Sequence, residues 1–190
     1  MTRRNPASPD DSRSVQGGGE TKADPGEALL TLYDDALPRV YGYLLSRCGG
    51  VALAEDLCGQ TFLAAVRAVR KGDPAPLSVA WLIGVARHKL VDHWRAQARE
   101  ERGLALVEAG GGPDHEDPWD AHLDALRAHD TLDRLLPMHR AALVLRYLDD
   151  LPVTEVAAHL DRSVHATEGL LVRARGAFRR AYEAEESGDD

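Results

Sequence analysis

The stretch from Leu151 to Arg180 predicts two short amphipathic helices joined by a tight turn, and this pairing constrains the fold more than any other feature. Pro152 stands where the first helix would begin, and a proline costs nothing there because that N–H has no helical partner. Val156, Ala157 and Leu160 then recur at helical spacing and give the first helix one apolar face.

The second helix of this pair is predicted to follow a turn at Asp161-Arg162-Ser163, with Ser163 as its N-cap. Apolar and polar residues then segregate to opposite sides: Thr167, Leu171, Ala174 and Phe178 on one, and His165, Glu168, Val172, Arg173, Arg175, Arg179 and Arg180 on the other. Such a pair is typical of a DNA-binding helix-turn-helix. The alternative is an ordinary packed helix pair with a solvated arginine-rich face, because short motifs also match by chance.

Composition predicts an all-α protein. The hydrophobic fraction is 44% but aromatic residues make up only 5%, so the core must be mainly Leu, Val and Ala, which favours helices. No strand pattern is visible. No apolar run approaches the ~20 residues that cross a membrane. Arg3 and Arg4 are followed by no apolar segment, so we expect no secretory signal and a cytoplasmic location.

The net charge of −8 argues against a protein that coats nucleic acid through bulk charge, although a local basic face can still bind DNA. Acidic residues cluster in the tails and the middle of the chain, and basic residues gather in two later helical segments. Cys48 and Cys58 form no CxxC or zinc-spaced pattern, so we expect free thiols, no metal and no cofactor. No paired nucleophile and base and no phosphate-binding loop are present, so we expect no enzyme.

Changes in composition predict two small helical domains joined by a flexible acidic linker. Residues 1–26 are rich in Ser, Pro, Gly and Asp and are expected to be disordered. The first domain is predicted at 27–102, the linker at 103–119 and the second domain at 120–183. Residues 184–190 are expected to form a disordered acidic tail.

Three helical segments are predicted in the first domain. The first starts near Glu27 and is expected to break or kink at Pro38. The second runs from about Ala52 to Arg70 and ends in a proline-containing loop. The third runs from about Ser78, a possible cap, to Arg102, and its polar side carries Arg87, His88, Lys89, Asp92, Arg95, Arg99 and Arg102.

Leucines predict a further helix after the linker, and Pro137 is expected to start another before the helix-turn-helix. On the long helix of the first domain, Trp81 and Trp94 lie on the apolar stripe. Aromatic residues beside a basic face also suit unstacked bases, but we expect core packing for both tryptophans.

Together these segments resemble a sigma factor of the sigma-70 family, in its small two-domain extracytoplasmic-function group. The resemblance covers about Glu27 to Tyr182 and rests on three stretches in order. AEDLCGQTF (54–62) resembles the helix that binds core polymerase. SVAWLIGVARHKLVDHWR (78–95) resembles the helix that contacts and melts the −10 element. LPMHRAALVLRYLDDLPVTEVAAHLDRSVHATEGLLVRAR (136–175) resembles the domain that reads the −35 element.

The resemblance implies roles for residues of the first domain. Contacts with the polymerase largest subunit would come from Glu55, Asp56, Gln60, Thr61 and Phe62, although core packing is the expected role of Phe62. Contacts with −10 DNA would come from Arg87, His88, Lys89, Asp92, Arg95 and Arg99. The loop Lys71–Leu77 and the helix start after it are where the family holds a flipped base. His88 replaces an asparagine common in the family, which leaves the identity of the −10 base open.

In the second domain the resemblance implies −35 contacts from Arg162, Ser163, His165, Thr167, Glu168, Gly169, Val172, Arg173 and Arg175. Asp161 stands where the family often has a turn glycine, and it tolerates unusual backbone angles. Glu168 and Leu170 replace family Lys or Arg residues. A glutamate can accept a hydrogen bond from cytosine N4, so we expect Glu168 to read a base while Arg173 and Arg175 hold phosphate or guanine.

The resemblance predicts a promoter-specificity subunit without catalysis of its own. Its partners would be the two largest subunits of core RNA polymerase, promoter DNA and an inhibitory anti-sigma factor. The alternative is a stand-alone helix-turn-helix regulator that binds operator DNA as a dimer. A sigma factor binds core polymerase tightly and free promoter DNA poorly, whereas a regulator does the reverse.

Overall fold

The computed structural model describes residues 25–72, 77–104 and 125–186, and the regular structure within these ranges is entirely helical. The predicted all-α class with two helical domains is confirmed. The helices are α1 (Pro25–Cys48), α2 (Val51–Arg70), α3 (Val79–Leu104), α4 (Ala125–Asp133), α5 (Pro137–Leu143), a π-helical segment (Val144–Leu148), α6 (Val153–Leu160) and α7 (Val164–Glu186).

Helices α1 to α3 pack on one another around an apolar core. Four buried residues of α1 repeat every four positions, which places them on one face of the helix. They are Ala36, Val40, Leu44 and Cys48, and Leu29 is buried two turns earlier. The longest helix, α3, contributes Leu82, Leu90 and Trp94, each at most 1% exposed. The expected core role of Trp94 is therefore confirmed, and Trp81 packs against the same core while partly buried.

Two local predictions in this half have different outcomes. Pro38 was expected to break or kink α1, yet the helix runs through it. Pro38 is exposed, so water can satisfy the carbonyl that loses its helical partner. The capping prediction is confirmed, because the Ser78 hydroxyl accepts a hydrogen bond from the Trp81 N–H at 3.2 Å at the start of α3.

Helices α5, α6 and α7 form a second packed unit, with α4 against α7. Pro137 starts α5 as predicted. The chain then widens into the π-helical segment Val144–Leu148, which no sequence pattern predicted. Asp150 follows in the left-handed region at φ 52°, and the Leu151 N–H reaches back to the Leu145 carbonyl at 3.1 Å.

The two units pack against each other in this structure. Helix α3 contacts α5 and α6, α1 contacts α4, and one continuous cluster of buried apolar residues runs through both units. The approach is close at Gly49, where a Cβ would collide with the Asp133 carboxylate. Asp133 in turn pairs with Arg140 of α5.

Several predicted boundaries shift. Helix α3 continues to Leu104, α1 already includes residues 25–26, and α7 continues through Glu186, so the tail predicted at 184–190 begins as helix. Alanine and glutamate favour helix in this stretch, which explains the extension. The remaining parts of the predicted tails, loop and linker, at 1–24, 73–76, 105–124 and 187–190, lie outside the described residues. Within the described residues, no helix is long and apolar enough to span a membrane.

Candidate nucleic-acid interface

The predicted −10 residues lie along one side of α3, but the structure turns that side toward the second domain. Arg87 and Arg95 are half-buried there, while His88, Asp92 and Arg99 are exposed and Lys89 is half-buried. Asp92 pairs with Arg95 at 3.7 Å within the helix. The predicted set is thus brought together on one helix, and Arg87, His88 and Arg95 also contact the other domain.

The strongest of these contacts is made by Asp149, which directly follows the π-helical segment. Its Oδ2 accepts hydrogen bonds from the Arg87 Nε and the Tyr43 hydroxyl, each at 2.8 Å. Its Oδ1 accepts one from the Arg47 Nε at 2.9 Å. Arg47 also donates to the Leu148 carbonyl at 3.1 Å. The Asp149 side chain is only 1% exposed, so one carboxylate binds three side chains of the first domain out of water.

The remaining contacts across this junction join α3 to the first helix of the helix-turn-helix and its turn. The His88 and His159 rings meet edge to face with centroids 4.8 Å apart. Arg95 donates to the Asp161 carboxylate at 3.1 Å. Beside this pair lies a cleft of about 420 Å³ lined by Arg95, Arg99, Met138, Leu160, Asp161 and Arg162. The predicted −10 face therefore lies against the turn that precedes the predicted −35 helix.

Burial at the junction changes the pKa of several groups. Desolvation, followed by the neighbouring Asp149 carboxylate, raises the pKa of the Tyr43 hydroxyl well above its ordinary value. Hydrogen bonds and attraction from Asp149 raise the pKa of Arg87 despite its desolvation. Burial lowers the pKa of His159, and the nearby His88 and Arg87 lower it further. Tyr43 and Arg87 thus keep their protons, whereas His159 favours its neutral form.

The turn of the helix-turn-helix has the geometry that the sequence predicted. Asp161 follows α6 in the left-handed region at φ 53° and ψ 51°. The Asp161 and Arg162 N–H groups donate back to the carbonyls of Ala158 at 3.3 Å and Ala157 at 3.0 Å, which is a Schellman motif. The Ser163 hydroxyl accepts from the Ala166 N–H at 3.2 Å, so Ser163 caps α7 as predicted.

Helix α7 presents a mixed polar surface from its first turn. Ser163, His165, Glu168 and Arg173 are exposed, and the imidazole of His165 lies 3.9 Å from the Glu168 carboxylate. Gly169 and Val172 are half-buried between them, and a Cβ at Gly169 would lie 3.4 Å from the Arg173 guanidinium. Arg175 instead donates to the Tyr147 hydroxyl at 3.3 Å. The Glu168 side chain in the N-terminal part of α7 is therefore exposed to solvent, and the positively charged residues of the helix begin at Arg173.

One predicted contact residue, Thr167, and the nearby Leu170 lie in the interior of the protein. Thr167 is fully buried and its hydroxyl donates to the Ser163 carbonyl at 3.0 Å, so its side chain cannot reach DNA in this conformation. It lies on the apolar side of α7, which the helical spacing had also indicated. Leu170 is 4% exposed. Its replacement of a basic family residue therefore removes no charge from the surface.

The predicted polymerase face of α2 divides in a similar way. Glu55, Asp56 and Gln60 are exposed, and the Gln60 amide donates to the Asp56 carboxylate at 2.9 Å. Thr61 is fully buried with its hydroxyl donating to the Leu57 carbonyl at 2.8 Å, so it cannot contact a partner directly. Phe62 is half-buried and packs edge to face on Tyr33 with centroids 4.9 Å apart, which fits the expected packing role.

Thiol and metal chemistry find little support in the described part of the chain. Cys48 and Cys58 are both free and buried. Burial raises the pKa of Cys48 to about 11 and also raises that of Cys58, so both thiols stay protonated at neutral pH. Among the described residues, no group of three or more His, Cys, Asp or Glu side chains could hold a metal ion.

Comparison with known families places both halves of the chain. Residues 32–100 match the family described as Sigma-70 region 2, and residues 125–178 match Sigma-70, region 4. The first match contains α2 and most of α3, and the second contains α5, α6 and most of α7. The two matches occur in the order that the resemblance implied.

Individual relatives agree with these matches. The chain is 31% identical to the ECF RNA polymerase sigma factor BldN of Streptomyces coelicolor, over 90% of this chain and 67% of that protein. It is 33% identical to the RNA polymerase sigma factor CarQ of Myxococcus xanthus, over 70% of this chain and 76% of that protein. The solved sigma factor RpoE of Bartonella quintana, in complex with the anti-sigma factor NepR, has a similar fold: the TM-score is 0.50 at 19% identity, covering 83% of this chain and 98% of that chain.

Proposed function

The chain belongs to the sigma-70 family and is an RNA polymerase sigma factor of the extracytoplasmic-function group, and on that premise we propose which of its residues carry out promoter recognition. The observation that carries the proposal is the arrangement of exposed polar residues on three helices. Helix α2 presents carboxylates, α3 presents a basic face and α7 follows a helix-turn-helix turn. We assign the first domain to 25–104, the linker to about 105–119 and the second domain to 120–186.

Core polymerase contacts are assigned to the exposed residues of α2. Asp56 and Gln60 are four residues apart and already joined by a hydrogen bond, so they can engage one partner surface together. Glu55 adds a second exposed carboxylate. The side chains of Thr61 and Phe62 pack inward. We therefore assign them a role in packing α2 against the domain core rather than in contacting polymerase.

Contacts with the −10 element are assigned to the polar face of α3. Its arginines and Lys89 can neutralise phosphates, and His88 and Asp92 are exposed groups with the hydrogen-bonding capacity to meet a base. A flipped base costs a few kcal/mol in lost stacking, so it needs a pocket that holds it. The segment from Lys71 to the start of α3 is proposed as that place.

Contacts with the −35 element are assigned to the exposed face of α7 and the turn before it. Glu168 is proposed to accept a hydrogen bond from cytosine N4 in the major groove, because its carboxylate is exposed at the front of the helix. Arg173 lies five residues further along α7 and is proposed to hold phosphate or guanine. Arg162 and His165 flank this surface, and Arg175 can join it on leaving Tyr147.

The proposed partners are core RNA polymerase, promoter DNA and an anti-sigma factor. The anti-sigma assignment is supported by the Bartonella quintana relative of similar fold, which was solved bound to NepR. We further propose that the protein acts in the cytoplasm, where the polymerase is, and catalyses no reaction itself. The stand-alone dimeric regulator is not favoured, since the match to region 2 extends the family over α2 and α3.

Run-off transcription with purified core polymerase and a randomised promoter library tests the proposal. We expect initiation that depends on this chain and selects defined −35 and −10 sequences. Asp56→Ala with Gln60→Ala is expected to reduce assembly with core polymerase without changing the selected sequences. Glu168→Gln is expected to change the selected −35 sequence without reducing assembly. Operator binding by a dimer, with no stimulation of polymerase, would support the regulator instead.

A further inference from the structure

The two surfaces that are proposed to read DNA contact each other in this structure. The −10 face of α3 lies against α6 and the turn before α7, through the His88–His159 and Arg95–Asp161 contacts. The −35 and −10 elements are separated by roughly 25 base pairs, which is on the order of 80 Å along B-DNA at ~3.4 Å per pair. With α3 held against α6 and the turn before α7, the two reading helices lie too close together to span that distance.

Charge complementarity and burial identify what covers the polar face of α3. Basic side chains from the first domain meet acidic ones from the second, Arg47 and Arg87 with Asp149, and Arg95 with Asp161. Apolar packing continues from one domain into the other beneath these pairs. The occupant of this surface is therefore the second domain of the same chain.

We propose that this sigma factor closes on itself, with the polar face of α3 as a docking surface for its own helix-turn-helix domain and Asp149 as the latch. The inference rests on the proposed function, because closure excludes promoter DNA only if α3 and α7 read it. The π-helical segment and the left-handed Asp150 place the Asp149 carboxylate among three donors of the first domain. Opening uncovers the polar face of α3 and lets the two reading helices move apart, whereas the exposed face of α7 is accessible in both forms.

Asp149→Asn in the full chain tests the latch. The change keeps the size of the side chain but leaves two half-buried guanidiniums without a carboxylate in the closed form, whereas in the open form water solvates them. Removing one partner of a buried ion pair is expected to shift the closed-to-open ratio on the order of a hundredfold toward the open form. Small-angle scattering without DNA or polymerase measures the resulting increase in radius of gyration.

Asp150→Asn is the matched control. It removes the same charge one residue away, its side chain is 98% exposed, and asparagine tolerates its left-handed backbone. Arg47→Gln tests the latch from the other domain. If the two residues form one latch, the double variant Arg47→Gln with Asp149→Asn opens little more than either single variant. Circular dichroism checks that every variant keeps its helical content.

The inference is supported if Asp149→Asn and Arg47→Gln expand the chain while Asp150→Asn and the unmodified chain stay compact. It is overturned if Asp149→Asn stays as compact as Asp150→Asn, or if the unmodified chain is already extended. It is equally overturned if Asp149→Asn expands only by losing helix and Arg47→Gln leaves the chain compact.

Binding to single-stranded −10 DNA separates this inference from the proposed function, because closure covers the polar face of α3. If both hold, Asp149→Asn expands the chain and tightens binding about tenfold or more, because the competent form is no longer a minor fraction. Expansion without DNA binding by any variant supports the closed form and refutes the −10 assignment. An unmodified chain that directs initiation but stays extended refutes the closed form alone.

Discussion

His88 of α3 and His159 of α6 lie edge to face across the junction of the two domains, with ring centroids 4.8 Å apart. The pKa of His159 is lowered by burial and by His88 and Arg87, against the opposing pull of Asp149 and Glu155. Separating the domains removes most of these effects. The open form therefore binds a proton at His159 more readily than the closed form.

This difference predicts opening at mildly acidic pH. Closure is unaffected above the ordinary pKa of His159, 6.5, and weakens as the pH falls below it. The radius of gyration should therefore increase between about pH 7.5 and about pH 5.5. His159→Gln should flatten this response, and the exposed His165→Gln should preserve it. A radius that stays constant over this range while the helices remain folded would contradict the prediction.

Glu168→Gln should change base preference rather than overall affinity. The exposed carboxylate accepts hydrogen bonds only, whereas the amide also donates, so preference for cytosine at one −35 position should relax. Each good base contact discriminates by about 1–3 kcal/mol, which selection from a −35 library resolves. Unchanged preference at every position would refute the role of Glu168.

Arg173→Gln should have the opposite effect. A phosphate contact carries no sequence information, so affinity should fall alike for all −35 sequences. The slope of log affinity against log salt should decrease by about 0.9 for one lost contact. Fluorescence anisotropy over a salt series measures both quantities. If affinity instead falls only for sequences that carry one particular base at one −35 position, Arg173 contacts guanine rather than phosphate.

Thr167→Val should reduce stability and leave promoter choice unchanged. The Thr167 hydroxyl is fully buried and bonded to the Ser163 carbonyl, so its loss should cost about 1 kcal/mol of unfolding free energy. Urea titration measures that cost, and the −35 library provides the second readout. If the variant instead changes the preferred −35 sequence and leaves stability unchanged, Thr167 contributes to the DNA interface.

The cysteines should be unreactive in the folded chain. Burial raises the pKa of Cys48 to about 11, which leaves about one thousandth of it as thiolate at pH 8. Iodoacetamide should therefore modify the native protein slowly and the urea-unfolded protein quickly, and mass spectrometry of the peptides reports each thiol. Replacing both cysteines with serine should leave initiation intact. Rapid modification of either native thiol would contradict this expectation.

Local patterns were sufficient to predict the helices, the Ser78 and Ser163 caps and the left-handed turn at Asp161, because each depends on residues within a few positions. The same patterns placed Thr167 on the apolar side of α7. Its assignment to DNA came from family resemblance, and its burial in this structure favours a packing role, because position in a motif does not determine side-chain direction. Thr61 of α2 is buried in the same way, although the resemblance implied a polymerase contact.

The junction could not be predicted from local sequence. Asp149 binds Tyr43 and Arg47, which are 106 and 102 residues earlier in the chain. The π-helical segment that ends just before Asp149, which no sequence pattern predicted, directs the Asp149 carboxylate toward the other domain. Contacts between distant segments depend on tertiary packing, which periodicity alone does not encode.

Run-off transcription on a randomised promoter library shows whether this chain directs RNA polymerase to promoters. Purified core polymerase is supplied with the full chain, and the start sites and upstream sequences of the transcripts are read. For a sigma factor we expect transcripts only when the chain is present, from templates that share one −35 and one −10 sequence. The absence of chain-dependent initiation from every template would contradict it.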